Sequence, residues 1–300
     1  IVIAQKADEL RNAKAVAQWQ STLETYAYPF LNDGRKIDEL TRHDVAKALE
    51  PIWQTKRETA SRLQGRIKAI FDYAKASDAF KGDNPADFKT ALEPLLGKQK
   101  KDAKEKQPAL PHKQTGAFMV ELRKREGLSA RALEFAILTA ARSGEVRGAT
   151  WAEIDLPGRI WTVPAERMKA GKEHRVPLSD EVVKLLEALP RIVGNDYVFP
   201  APRGGQLSDM SLTAVLKRME RGGLTQHGFR STFRDWAGET TNHPREVIEH
   251  ALAHQLKDKA ERAYQRGTLW PKRVHLMADW ANYCGQVAAS NVVELKQGAA

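Results

Sequence analysis

The residues whose types and order could carry one reaction are Arg142, Lys169, His227, Arg230, His254 and Tyr264. Two arginines, a lysine and two histidines around a tyrosine fit phosphoryl transfer with a tyrosine nucleophile and no metal. A free tyrosine has a pKa of about 10, so making a phenolate at pH 7 costs about 4 kcal/mol. The pentacoordinate transition state also concentrates negative charge on its non-bridging oxygens. Fixed Arg and His donors stabilise that charge where a metal otherwise would. The leaving alkoxide needs a proton, and a lysine such as Lys169 can act as the general acid.

Taken singly, each position has a plainer explanation. Arg142 follows an apolar run, Ser143 and Gly144 let the backbone turn, and Glu145 is a ready salt-bridge partner. Lys169 sits in a turn-like stretch where lysines are commonly just exposed, and Lys172 lies close enough to rival it. His227 and Arg230 are three apart, hence on one helical face, with Phe229, Phe233 and Trp236 on the opposing face. His250 and His254 are four apart, a metal-like spacing. Ala251 stands where a zinc-protease motif needs glutamate, and no carboxylate cluster completes a site, so neither metal nor cofactor is expected. Tyr264 on an amphipathic helix would, alone, read as core or interface.

The elements that must position these residues follow from periodicity. An apolar helix is expected over 129–141, β-like runs over 151–155 and 159–163 joined at Pro157-Gly158, and a third over 174–178. Ser179-Asp180-Glu181 caps a further helix, and helices are expected over 208–221, 228–239, 244–254, 258–266 and 271–290. The first third reads as helical: Leu10, Ala13, Ala17, Leu23 and Ala27 keep near-helical spacing up to Pro29. Thr41 with Asp44 looks like an N-cap, Leu63, Ile67, Ile70, Phe71 and Ala74 trace one helical face, and Asn84-Pro85 breaks the pattern. The lysine-rich, apolar-poor stretch 98–111 reads as an interdomain linker, either a solvated loop or a basic strap against phosphates. The expected fold is mainly α with a small antiparallel sheet (α+β). It comprises a helical domain 1–97, the linker 98–111 and a mixed domain 112–300.

Composition sets outer bounds. The 300 residues carry 48 Lys and Arg against 38 Asp and Glu, a net +10 that suits a polyanionic partner. A single cysteine, Cys284, excludes a disulfide framework and fits a reducing, intracellular setting. The longest stretch without a charge, 280–293, is too short and polar to span a bilayer. Neither a signal segment nor an internal repeat is evident. The chain opens on Ile1 rather than Met, which reads as a fragment of a longer protein.

In this order the residues resemble those of the tyrosine recombinases, specifically phage and genomic-island integrases. The stretches 140–147, 167–179, 227–236 and 252–264 look like family signatures. The first third, with Arg57-Glu58-Thr59-Ala60 and Arg66-Ile67, resembles the family's helical core-binding domain. The resemblance implies that Arg142 and Arg230 clamp the scissile phosphate and that Lys169 protonates the leaving 5′-hydroxyl. His227 and His254 then assist proton transfer, and Tyr264 attacks to give a 3′-phosphotyrosine. Glu145 matches the acid that supports the first arginine. The Leu252-Ala253-His254 context favours His254 over His250, although Ala253 stands where relatives carry glycine.

Lys172, Arg66, Lys100 and Lys101 are expected DNA contacts. The resemblance further implies an arm-binding domain ahead of Ile1 and a last helix that couples neighbouring subunits. Implied partners are double-stranded DNA attachment sites, a homotetramer on DNA, a host DNA-bending protein and an excisionase, in the cytoplasm of a bacterial cell. Competing readings are a type IB topoisomerase-like enzyme, a non-catalytic DNA-binding regulator on the same fold, and a metal-dependent nuclease that a chelator would silence.

Overall fold

A computed structural model describes residues 1–9, 13–100, 108–254 and 267–286. The chain divides into two compact units, Ile1–Lys104 and Glu105–Ala300.

The first unit is helical: α1 (Val2–Glu9), α2 (Ala13–Thr22), α3 (Tyr28–Leu31), α4 (Arg42–Trp53), α5 (Arg57–Ala76) and α6 (Glu93–Leu96). Leu23, Leu49, Leu63, Phe71 and Leu92 fill its core. Thr41 caps α4 in both directions, accepting from the Asp44 amide while the Asp44 carboxylate accepts from the Thr41 amide at 2.8 Å. Pro29 does not end the first helical run, as its ring alone would suggest. The run passes through a π-helical turn, Leu23–Ala27, and continues to Leu31. A second π turn, Phe88–Leu92, precedes Pro94 in the same way. A proline cannot donate to the carbonyl four residues back and crowds it, and the wider π register relieves both problems. Asn84 marks the expected break. It is buried, donates to the Lys68 carbonyl and the Asp72 carboxylate, and accepts from the Ala86 amide.

Two expected DNA contacts fall in this unit. Arg66 does not face solvent. Its guanidinium donates to the Gln18 carbonyl at 2.8 Å and to Thr22 Oγ1, and lies over the Trp19 ring. At 9 % exposure it ties α2 to α5 through Nη1, a structural role the sequence reading did not give it. Lys100 is exposed, and its carbonyl accepts from Arg57 at 2.7 Å. Gln99 donates to the Trp53 and Arg57 carbonyls, so residues 98–100 are fastened to α4 and α5. Lys101 lies outside the described residues, as does 101–107 of the expected linker.

The second unit begins with α7 (Thr115–Arg123) and α8 (Leu128–Leu138), then α9 (Ser143–Arg147). The antiparallel sheet β1 (Ile154–Asp155), β2 (Ile160–Val163) and β3 (His174–Pro177) has order β1-β2-β3, with Trp161 opposite Val176 and Val163 opposite His174. Next come α10 (Asp180–Glu187), α11 (Ser211–Arg218), α12 (Gln226–Thr240), α13 (Arg245–Ala251) and α14 (Trp270–Gly285). Residues 151–153, expected in a strand, form a 3₁₀ turn, so only Ile154 and Asp155 pair with β2. Residues 208–210 also stay outside α11. The expected helix 258–266 and the end of the last helix, 287–290, lie outside the described residues.

Helix α8 is buried along 132–138 because it runs through the core. Phe135 packs on Trp161 and Phe199, and the Ile137 carbonyl accepts from Trp280 Nε1 at 2.8 Å. Each such side chain contributes about 1.5–3 kcal/mol on burial. The one acid of α8, Glu134, is buried between Arg123 at 2.7 Å and Arg131 at 2.8 Å. Among the described residues no helix is long and apolar enough to cross a membrane.

Candidate active site

Arg142 owes its position to the way α8 ends. Ala140 adopts a left-handed conformation, φ +51°, and turns the chain out of the helix. Arg142 is then extended at the N-cap of α9. Glu145, 5 % exposed, accepts from the Arg142 amide at 2.9 Å and from Arg142 Nη1 at 2.8 Å. One carboxylate therefore fixes both ends of the residue. Arg142 Nη2 faces the Leu252 and Ala253 carbonyls at 3.4 and 3.3 Å.

Helix α12 brings the second arginine. Thr225 caps it, accepting from the Gly228 amide at 2.9 Å. Phe229, Phe233 and Trp236 are buried in the core. Arg230 is 4 % exposed, donating through Nη1 to the Ala140 carbonyl and through Nη2 to the Leu252 carbonyl at 2.6 Å. The two guanidinium groups thus converge on one carbonyl. Burial and the neighbouring Arg142 push the Arg230 pKa down to about 10, which leaves it charged at neutral pH. Among the described residues, Arg230 Nε is buried with no hydrogen-bond partner.

His254 follows α13 through a turn in which Ala253 has φ +48°. That left-handed backbone favours glycine, since a Cβ is disfavoured there. Arg230 Nη2 meets His254 Nε2 at 3.2 Å, and Nδ1 meets Glu249 Oε2 at 2.6 Å. A guanidinium can only donate, so Nε2 accepts and the proton resides on Nδ1, which donates to Glu249. Glu249 also accepts from Arg234 Nε at 2.9 Å. Burial holds the His254 pKa below the ordinary histidine value despite the Glu249 anion.

His227 lies exposed in the first turn of α12. Burial of part of the ring lowers its pKa, with the charges of Arg230, Arg142, His254 and Lys169 adding to the effect. That list places Lys169 within electrostatic reach of the same cluster. Lys169 and Lys172 are both exposed in the turn between β2 and β3, where Gly171 takes φ +63°.

Sequence reasoning passed over four residues. Gln226 is buried and flanks Arg142 on both sides, donating to the Ala141 carbonyl at 2.7 Å and accepting from the Ser143 amide at 3.1 Å. Glu249 orients His254. His174 opens β3, hydrogen-bonds the Ala251 backbone, and has its pKa pushed down to about 3, chiefly by burial and then by Arg273. Arg167 joins the base of the Lys169 turn to α9 through the Glu145 carbonyl at 2.9 Å. Gln226 and Arg167 act across elements distant in sequence, whereas Glu249 lies only five residues from His254 and meets it because the chain turns after α13. His250 lies in the last turn of α13, and Tyr264 lies outside the described residues.

Arg142, Arg230 and His254 thus come together around the Leu252 carbonyl, with Lys169 in electrostatic reach of His227, Glu145 holding Arg142 and Glu249 holding His254. Among the described residues no three His, Cys, Asp or Glu side chains group as metal ligands. The pattern described as "Phage integrase family" matches residues 108–268, and "Phage integrase central domain" matches residues 2–91. The chain belongs to the phage integrase family. It is 31 % identical to prophage integrase IntA of Escherichia coli (strain K12) over 282 residues, covering 92 % of this chain and 66 % of that one. It is 32 % identical to prophage integrase IntZ of the same strain over 286 residues, covering 91 % and 67 %. The chain therefore spans about two thirds of the length of these relatives. The fold is shared with a lambda integrase tetramer bound to a Holliday junction. The TM-score is 0.66 at 16 % identity, over 86 % of this chain and 76 % of that chain.

Proposed function

We propose that the protein is a site-specific DNA recombinase that cuts and rejoins strands through a 3′-phosphotyrosine. The observation that carries this reading is the meeting of Arg142 and Arg230, from two separate elements, at the Leu252 carbonyl beside His254. Two fixed guanidinium groups and a histidine on one face form a preorganised cradle for the non-bridging oxygens of a phosphodiester.

In the proposed reaction the Tyr264 phenolic oxygen bonds to phosphorus as the bond from phosphorus to the 5′-oxygen breaks. The phenolic proton passes to His254 Nε2 or His227, and the departing oxygen takes a proton from Lys169. The bond energy is kept in the tyrosyl ester, so a partner strand's 5′-hydroxyl reseals the backbone without ATP. The substrate is double-stranded DNA carrying an attachment site, and most affinity comes from phosphate contacts by a chain of net charge +10. The working form is a tetramer on DNA in the bacterial cytoplasm, assisted by a DNA-bending protein and an excisionase. Lys172 and the 98–111 segment contribute phosphate contacts.

A nicked suicide duplex carrying the attachment site tests the reading. The wild-type chain becomes covalently joined to the DNA, and Tyr264→Phe binds without joining. Adduct formation by Tyr264→Phe at the wild-type level refutes the nucleophile assignment. Loss of cleavage in EDTA points instead to a metal-dependent nuclease.

A further inference from the structure

Arg167 lies two residues before Lys169, closing the 3₁₀ turn Ala165–Arg167 that leads out of β2. Its side chain leaves the hairpin and crosses to α9. Nη1 donates to the Glu145 carbonyl at 2.9 Å, and Nη2 donates to the Glu153 carboxylate. Glu153 is itself fixed, accepting from Trp161 Nε1 at 2.9 Å, and Trp161 is fully buried in the middle of the sheet. Room for the guanidinium exists because residue 148, at the C-cap of α9, is glycine. A Cβ there would stand 2.5 Å from Arg167 Nη1. A chain of contacts thus runs from the sheet through Glu153 and Arg167 to the backbone of Glu145, the residue whose carboxylate holds Arg142. The link to α9 is therefore a hydrogen bond to backbone, and the ion pair with Glu153 holds the other edge of the same guanidinium.

Lys169 is exposed in the six-residue stretch 168–173, where the Gly171 amide donates to the Met168 carbonyl at 3.0 Å. A flexible ammonium gives good proton transfer only if its base is held, since misplacement by 1 Å can cost roughly 10²-fold. We propose that Arg167 is a positioning residue for the leaving-group acid: it locks the foot of the Lys169 hairpin to the helix that presents Arg142, so that both cations reach one phosphate in fixed register. The inference rests on the reading of Lys169 as that acid.

The test compares cleavage of a nicked suicide duplex with an ordinary 5′-oxygen at the scissile phosphate and one with sulfur at that bridging position. A thiolate leaves without a proton, so loss of the acid is silent on the sulfur substrate. Lys169→Ala serves as the reference. Arg167→Met is expected to lose roughly 10–10²-fold on oxygen and to recover to within a few-fold of wild type on sulfur. Gly148→Ala, which pushes on the same guanidinium from α9, is expected to share that pattern, and Arg167→Lys to restore part of the rate on oxygen. Equal losses on both substrates by Arg167→Met and Gly148→Ala, with Lys169→Ala still rescued by sulfur, overturn the inference and leave the acid assignment standing. Failure of sulfur to rescue Lys169→Ala overturns the acid assignment and the inference with it. Thermal melts of each variant separate misfolding from this effect, because an unfolded fraction lowers both substrates equally.

Discussion

Two glycines of α12 offer a paired experiment in which the same substitution should act in opposite directions. A Cβ at Gly228 would lie 2.1 Å from the Pro108 carbonyl oxygen, 3.0 Å from its carbon and 3.1 Å from Ala109 Cα. All three are backbone atoms, so the segment 108–110 must retreat by about 0.9 Å at the least to reach even a 3.0 Å separation. Overpacking of this kind costs about 1–3 kcal/mol. The retreat also stretches the bond from Thr232 Oγ1 to the Leu110 carbonyl, now 2.6 Å, a loss of about 0.5–1.5 kcal/mol. Alanine's helix propensity returns about 1 kcal/mol. The balance for Gly228→Ala is a destabilisation of about 2 kcal/mol, or a fall in Tm of roughly 4–8 °C for a unit of this size. A Cβ at Gly238 meets nothing within 4 Å, so Gly238→Ala keeps the propensity gain and should stabilise by about 0.5–1 kcal/mol. Urea and thermal unfolding of both variants decide the matter. If Gly228→Ala melts at or above wild type, the close packing of α12 against residues 108–110 is refuted. The clash also pushes back on α12, which carries His227 and Arg230, so cleavage by Gly228→Ala should drop as well, by up to about 10²-fold.

Three further outcomes are expected. Ala253→Gly should be neutral or stabilising by up to about 1 kcal/mol in urea titration, since relief of the φ +48° strain outweighs glycine's extra freedom in the unfolded chain; a loss greater than 1 kcal/mol contradicts this. Glu249→Gln removes the anion that favours the protonated ring, so the His254 limb of the pH–rate profile should move to lower pH, with cleavage reduced roughly 10-fold; superimposable profiles would dismiss Glu249 as its orienter. His174 binds a proton in the unfolded chain near pH 6.5 but in the folded one only near pH 3. Stability is therefore complete above about pH 6.5 and declines on acidification, by up to about 1.4 kcal/mol per pH unit, and His174→Gln should flatten that slope between pH 6.5 and 4.5.

The amino-acid sequence by itself determined the order of the elements, because helical and strand periodicities are local. Thr41 and Ser179 announced their helices, and Asn84 marked a break, through side-chain chemistry reaching only a few residues. It also determined the set of cations, since their order along the chain resembles that of one family. Tertiary structure decided what each cation does. Arg66 and Arg230 are both arginines on helices with apolar neighbours, yet one closes the first unit's core while the other reaches Ala140 and Leu252. The carbonyls that sort them lie 48 residues away for Arg66 and 90 and 22 for Arg230, so no short window of sequence contains the answer. Gln226 and Arg167 escaped notice for the same reason: an orienting side chain is defined by its distant partner, and that partner is chosen only when the elements pack.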